Sequence, residues 1–553
     1  MRSGIRDAVI IGSGAGGGPL ALALSRAGLD VLVLEKGPRH RPEDYPADEL
    51  SVSRHHFFLP YLDGEPHTVV TPKTTRSVRT ELGWIATCVG GGTVHMGAFL
   101  YRFHPEDFRM RSRFGPVEEL ADWPFGYDEL EPYYALAERE VGVAGLAGVN
   151  PFEGARSGPY PLPPLDSHPI TPWLEETCRR RGLHPFPTPR SINSRPYQGR
   201  PACVYCDACA GYGCRVGAKG STAEALLPRA EATGRCEVRP GCMVREVTVN
   251  REGRATGCVY LDEDGREHEV AARTVFVCGS AVESARLLLL SRSPRFPDGL
   301  ANGSGRVGRH LQFHGVTMGS ARFRIGDHPD RPLAPWHPFL GVSVMDYYFL
   351  PEGVSEIAKG GLLRFDMQPA TPVATAEALA TASEPVLWGM DLKRRLREHY
   401  QEHREVGFEV FHDFLPNDRT FVELDPEVRD RWGLPVARIH LDVPAHHRVA
   451  GRWVMDRAFE ILDDMGAVDL KPSSIGGTSA YLVHGTCRMG TDPENSVLDE
   501  NCRAHEVSNL YVVDGSFMPT SGGAAPTLTI LANSFRVADH VIARWREGDF
   551  NEK

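Results

Sequence analysis

The chain of 553 residues has no apolar run approaching the ~20 residues that a membrane-crossing helix needs. It has no internal repeat and no low-complexity tail, which excludes repeat architectures and compositionally biased segments. It also lacks an excess of positive charge. Lys and Arg number 61 against 72 Asp and Glu, a net charge of −11. That balance argues against nucleic acid or an anionic membrane as a partner. The first apolar strand begins within a few residues of Met1, leaving no room for a signal peptide, so a cytoplasmic location is expected. Twelve cysteines are compatible with a reducing compartment. Most sit singly in apolar stretches, as Cys242, Cys258 and Cys278 do, where a small buried thiol is the plain explanation. At this length two or more domains with sizeable cores are expected.

The most informative signal is at the start. Asp7 to Ile11 reads as a buried strand, and Gly12-Ser13-Gly14-Ala15-Gly16-Gly17 as a glycine-rich turn. An apolar helix follows, then a second strand, Val31 to Leu34, which ends at Glu35. This is the dinucleotide-binding βαβ fingerprint in its proper context. Gly12 allows the tight turn, Gly14 admits a pyrophosphate close to the backbone, and Gly17 lets the helix pack on the strand. The helix N-terminus offers free N–H groups to the phosphates. Glu35 is placed to accept hydrogen bonds from ribose hydroxyls.

A second glycine-rich turn runs from Val89 through Gly90, Gly91, Gly92 and Thr93 to His95. Residues 38–79 read as a polar excursion from the sheet, 128–142 as an amphipathic helix, and the Pro- and Ser-rich stretch 150–202 as a long loop. From Cys236 to Ala281 the pattern is of strands broken by hairpin turns at Asn250–Gly253 and Asp262–Gly265. A buried strand, Arg273 to Cys278, then feeds a helix from Ala281 to Ser291. Residues 320–475 are mixed, with a strand at Arg438–Asp442 and a helix at Arg448–Met465. A last buried strand ends at Asp514, and a helix from Thr527 to Trp545 follows. The first βαβ unit and this last strand–helix unit are expected side by side.

These motifs together resemble the glucose–methanol–choline (GMC) flavin oxidoreductases. They look most like the branch of gluconate and fructose dehydrogenase large subunits and pyranose 2-oxidase. The resemblance runs nearly end to end. It rests on the N-terminal fingerprint, the Gly90–Thr93 loop, Ala121 to Tyr134, and the helix start at Gly279–Ser291. It continues through Val307 to His314, Gly485-Thr486-Cys487-Arg488-Met489-Gly490, and Asp514 to Thr529. It implies an α/β fold with a Rossmann-type FAD-binding domain and a second α+β substrate domain on a mixed or antiparallel sheet. The expected division is 1–105, 200–320 and 476–553 for FAD, with 106–199 and 321–475 as substrate-binding cap. FAD would be held by Gly12, Gly14, Ala15, Gly17, Glu35, Lys36, Gly90, Gly91, Thr93, His95, Val244, Asp514, Gly515, Pro526 and Thr527. In pyranose 2-oxidase the histidine at the place of His95 is bonded covalently to the flavin, so such a link is one expectation here and a noncovalent contact the other. The implied activity is oxidation of a hydroxyl group of a small molecule, such as a sugar, polyol or secondary metabolite, by hydride transfer. The electron acceptor is oxygen or a redox partner.

Cys203, Cys206, Cys209 and Cys214 form a C-x2-C-x2-C-x4-C run. Four thiolates in one short loop are hard to wrap around a single zinc, which usually takes two separated pairs. They fit better around an iron–sulfur cube. The sugar dehydrogenase relatives carry such a cluster at a similar place with different spacing. A thiol-rich structural loop without metal is the alternative.

Hydride abstraction from an alcohol needs a base near the hydroxyl and a second donor for the oxygen. The family's two positions fall here on Leu482 and Ala525, neither of which moves a proton. His484, directly before Gly485, is the expected replacement, with His314 and His412 in reserve. The departure leaves open an altered flavoprotein that performs an atypical oxidation, a desaturation or non-redox lyase chemistry. A flavin-binding protein without turnover is the remaining class.

Overall fold

The structure, a computed structural model, describes residues 4–550 apart from 54–56, 75, 207, 332, 334–338, 368–370 and 383. Its first sheet has seven strands. Cys236–Arg239, Val31–Leu34, Arg6–Ile11 and the second half of Glu267–Val277 run parallel, with Leu510–Val512 beyond. The central strands are largely apolar because helices cover the sheet, whereas the edge strand Cys236–Arg239 carries Glu237 and Arg239. Val31 to Leu34 are all buried. Helices Gly17–Arg26 and Thr527–Glu547 pack against each other. The Glu267–Val277 strand changes role along its length. Its exposed first half pairs with the antiparallel Met243–Val249 and Ala255–Leu261 hairpin, and its second half is buried between parallel neighbours.

The second sheet is antiparallel and has six strands, in the order Asp469–Thr486, Arg309–Arg324, His403–His412, Gly361–Asp366, Val342–Val344, Phe186–Pro187. Helix Ala445–Asp464 covers one face of it, burying Ala450, Val454, Ala458 and Ile461. A third sheet of four strands joins Phe421–Arg429 and Pro435–His440 to His67–Val70 and Val78–Thr80. The mixed FAD-type sheet beside an antiparallel sheet agrees with the expected α/β fold.

Four expectations need correction. The 150–202 stretch is not all loop. It contains helix Thr171–Arg180, whose Trp173, Leu174 and Cys178 are buried on one face while proline-rich segments flank it. The 38–79 excursion returns as an edge hairpin of the third sheet, because His67–Val70 pairs in parallel with Pro435–His440. The long helix begins at Ala445 rather than Arg448, since Pro444 in an extended conformation sets its start. The first and last units do meet, through their helices and through Gly16 against Val513, but their strands are not neighbours: the Glu267–Val277 strand lies between them. In addition, the Arg309–Arg324 and Asp469–Thr486 strands run through the expected boundaries at 320 and 475.

The glycine turn is packed unevenly. A Cβ on Gly16 would lie 2.3 Å from the carbonyl oxygen of Val513, whereas one on Gly92 would meet nothing within 4 Å. Gly16→Ala is therefore expected to lower unfolding stability by about 1–3 kcal/mol. Gly92→Ala should leave it within about 0.5 kcal/mol. Equal denaturant midpoints for the two variants would contradict this packing.

Candidate active site

A cavity of about 510 Å³ opens at the carboxyl ends of the parallel strands, within the range of about 300–1,000 Å³ for small-molecule sites. Three helix N-termini reach its wall. Gly14 to Gly16 lead into helix Gly17–Arg26, Gly279 and Ser280 into Ala281–Leu290, and Pro526 into Thr527–Glu547. The first and third carry no acidic residue in their first turns. Their unpaired N–H groups and positive dipole ends suit a diphosphate. A Cβ on Gly14 would meet nothing closer than 3.9 Å, so the backbone there faces open space. Gly12, at φ +103°, could not carry one, since it would lie 2.3 Å from the Cys278 carbonyl oxygen.

Ser13 ties the wall together. Its hydroxyl donates to Glu35 at 2.6 Å and accepts from the Gly90 N–H at 2.8 Å. Its carbonyl accepts from the Thr222 hydroxyl at 2.8 Å. Thr93 then donates to the Gly90 carbonyl and accepts from the Thr222 N–H. The two glycine turns thus meet backbone to backbone, with Gly14 against Gly91. Glu35 also accepts from the Ser13 and Gly37 N–H groups. Burial pushes its carboxyl above the ordinary range, and those hydrogen bonds hold it back. Asp514 is arranged alike. Burial raises it, opposed by hydrogen bonds from Ser284, Ser516 and the Ser280 N–H. The Ser280 hydroxyl has no partner among the described residues, although its atom is buried at the cavity wall. Orphaned donors beside open space and a carboxylate at each end form a donor set that fits a dinucleotide.

Gly12, Gly14, Ala15, Glu35, Lys36, Gly91, Thr93, His95, Val244, Asp514, Gly515, Pro526 and Thr527 all line this cavity. Gly17 and Gly90 lie behind the wall. A Cβ on Gly17 would lie 2.0 Å from the Gly12 carbonyl oxygen, and one on Gly90 would collide with Ala223 and Val94. His95 stacks on Phe58, with ring centres 5.4 Å apart. Burial, and then the Lys219 charge, lower its pKa to about 4.

The cysteine loop abuts this wall. The Gly211 N–H donates to the His95 carbonyl at 2.8 Å, and Gly211 lines the cavity. Cys203, Cys206, Cys209 and Cys214 are all free thiols, and none lines the cavity. Among the described residues, no three of them bring their sulfurs within 4.8 Å of one another. Zinc bonds of about 2.3 Å would need sulfurs about 3.8 Å apart, so the loop does not suit a single zinc. Lys219, 1 % exposed, donates to the carbonyls of Val94, Met96, Cys209 and Tyr212 at 2.8–3.2 Å. It thereby staples the thiol loop to the His95 loop.

Leu482 and Ala525 line the cavity, as do Phe411, Ser479, Tyr481 and Glu409. His484 does not reach the cavity surface. It lies one layer behind, where a Cβ on Gly515 would be 3.7 Å from His484 Cδ2. His314 and His412 are also fully buried and absent from the lining. Burial lowers the pKa of His484 to about 3, so its ring is neutral at ordinary pH. Sequence reasoning missed Ser13, Thr222, Ser280 and Lys219. A lone lysine amid glycine and small residues was the only available hint of the last.

Residues 75–316 and 416–534 match the two domain profiles of the GMC oxidoreductases, and residues 7–42 match an FAD binding domain. The chain is 31% identical to 2-methyl-1,2-propanediol dehydrogenase of Mycolicibacterium austroafricanum, covering 98% of this chain and 96% of that protein. It is 29% identical to the fructose dehydrogenase large subunit of Gluconobacter japonicus, covering 98% of each. Among solved structures, a formate oxidase of Aspergillus oryzae superposes with a TM-score of 0.68 at 16% identity over the whole of both chains. The chain belongs to the GMC oxidoreductase family of FAD-dependent enzymes.

Proposed function

We propose that this enzyme oxidises a hydroxyl group of a small polar molecule such as a sugar, polyol or secondary metabolite. The observation that carries this is a single cavity running from the dinucleotide turn at Gly12–Glu35 to the wall at Leu482 and Ala525. FAD bound there supplies the hydride acceptor. Glu35 holds the ribose hydroxyls, and the turn at Gly14–Gly16 faces the diphosphate. Ser479, Tyr481 and Glu409 give the far end of the cavity polar groups for a hydroxylated substrate. Relatives named for a propanediol and for fructose support the substrate class. The strands at 6–34, 236–277 and 510–512 are the core of the FAD domain, and the six-stranded sheet is the substrate side. The twelve unpaired cysteines favour a reducing compartment, the cytoplasm.

His484 is the proton acceptor in this reading. Its ring is neutral and has a free lone pair, and one bridging water behind Gly515 would connect it to the substrate oxygen. Leu482 and Ala525 keep the cavity wall dry around the reacting carbon. Anaerobic addition of a panel of alcohols and sugars to the FAD-loaded protein tests the activity: at least one should bleach the flavin. His484→Gln should then slow bleaching by about 100-fold or more. Consumption of a substrate without any flavin reduction would contradict the oxidation and favour lyase chemistry.

Cys203, Cys206, Cys209 and Cys214 hold an iron–sulfur cluster in the same reading. The support is four free thiols on one loop and a buried, carbonyl-bound Lys219 beside them. A cluster on this loop, which abuts the cavity wall through Gly211, would favour passing electrons to a redox partner over direct use of oxygen. Iron should accompany the purified protein and fall in Cys209→Ser, whereas an iron-free parent protein would contradict the cluster. His95, at the cavity wall, is the site for a covalent flavin link. Acid precipitation should leave yellow colour in the pellet, and colour confined to the supernatant would exclude the link.

A further inference from the structure

Behind the far wall of the cavity lies a line of buried histidines that no step so far uses beyond His484. His484 and His314 meet edge to face, with ring centres 5.8 Å apart, and His314 stacks at 5.3 Å on Phe411, which lines the cavity. The His412 ring sits against Gly315, the residue after His314, on the other face of the strand, at the last pair before His403–His412 parts from it; a Cβ on Gly315 would be 2.1 Å from His412 Nδ1. His412 and His447 lie 4.9 Å apart. His446, next on the helix, brings Nδ1 within 2.8 Å of the hydroxyl of Ser355, which is half-buried at the surface.

His314, His412, His447 and His484 are each fully buried, at 0% exposure. Both ring nitrogens of His314, His447 and His484, and Nδ1 of His412, have no hydrogen-bond partner among the described residues. Buried polar atoms are nearly always satisfied, because leaving one unpaired forfeits its hydrogen bonds to water with nothing in return. Seven such atoms along one line call for a polar guest. A single metal does not fit. Among the described residues, no three of these rings bring nitrogens within 4.8 Å of one another. Ordered water fits, since a buried water needs about two to four polar partners.

We propose, resting on the alcohol-oxidation reading above, that His484, His314, His412, His447 and His446, linked by buried water, carry the substrate's hydroxyl proton from the cavity to solvent at Ser355. Bound FAD would be the oxidant, taking up the hydrogen and electron pair of the substrate's C–H bond as hydride. The O–H bond breaks in the same event, its electrons form the C=O bond, and its proton passes to His484. Each neutral imidazole accepts a proton on one nitrogen and releases one from the other, which leaves it in its other tautomer, and a ring flip or a return exchange with the linking water resets it before the next turnover. Burial, and then the neighbouring histidines, hold His314 and His447 well below their ordinary pKa. A proton therefore does not rest on them.

The other ionisable groups facing the line support transit over storage. Lys359, fully buried, pairs with Asp107 and, at 3.3 Å, with Asp413, while the Tyr348 hydroxyl donates to Asp107. This cation disfavours a resident charge on the histidines beside it. Thr317 Oγ1 lies 3.4 Å from His412 Nε2 and bridges toward helix Ala445–Asp464.

Two measurements test the line. A high-resolution crystal structure of the FAD-loaded protein should show waters within hydrogen-bond distance of the ring nitrogens of His314, His412 and His447. Rings in dry contact would overturn the proposal whatever the substrate. Separately, His447→Gln and His412→Gln keep polar side chains but break proton hopping. Provided FAD absorbance and unfolding midpoints match the parent, each should slow flavin reduction by about tenfold or more and enlarge the solvent deuterium effect. Parent-like rates and isotope effects in both variants would overturn the line. A parent flavin that no hydroxyl compound reduces would instead sink the oxidation reading, and the water test then decides the line by itself.

Discussion

The cavity depends on one residue, Ser13, through its hydroxyl and its backbone carbonyl. Ser13 donates to Glu35, accepts from the Gly90 N–H, and lends its carbonyl to Thr222. Three segments far apart in sequence are fixed by these bonds: the second strand end, the second glycine turn and the helix start after the cysteine loop. Without them the backbone at Gly14 and Gly91 would have no reason to lie in contact, and the floor of the cavity would open. A buried carboxylate such as Glu35 is costly unless its oxygens are satisfied. Ser13 and Gly37 meet that need before any ligand arrives. The site is therefore preorganised for ribose and diphosphate.

From that floor the chemistry is graded along the cavity. Helix N-termini and carboxylates dominate the end toward Gly12 and Asp514. Aromatic and aliphatic groups dominate the end toward Phe411, Leu482 and Ala525. Proton-handling groups have been moved off the surface and into the layer behind it, where His484 and His314 are buried and neutral. The thiol loop occupies a different wall, joined through Gly211 and Lys219 to the His95 loop. Electrons and protons would thus leave the reacting centre in different directions.

The cofactor end was legible because its signal is local. Gly12, Gly14, Gly17 and Glu35 fall within thirty residues of one another, and each is demanded by backbone sterics or by a terminal carboxylate. The parallel strands Val31–Leu34 and Leu510–Val512 were legible for the same reason, as unbroken apolar runs. Helix Thr171–Arg180 was hidden because prolines and serines around it outweigh its ten residues, and burial of Trp173 and Leu174 is what stabilises it. The histidine line was hidden because no local pattern contains it. Antiparallel pairing places Gln312 opposite His484 and Gly315 opposite His412, and helix Ala445–Asp464 then adds His446 and His447. Sequence separations of up to 170 positions collapse only once register is set.

The central claim is that one cavity joins the dinucleotide turn to the wall formed by Leu482 and Ala525. A crystal structure with FAD bound tests it most directly. The account predicts the diphosphate against Gly14 and the reactive ring in van der Waals contact with Leu482 and Ala525, within one water of His484. A flavin ring held elsewhere, with those two residues facing protein or bulk solvent, would contradict it.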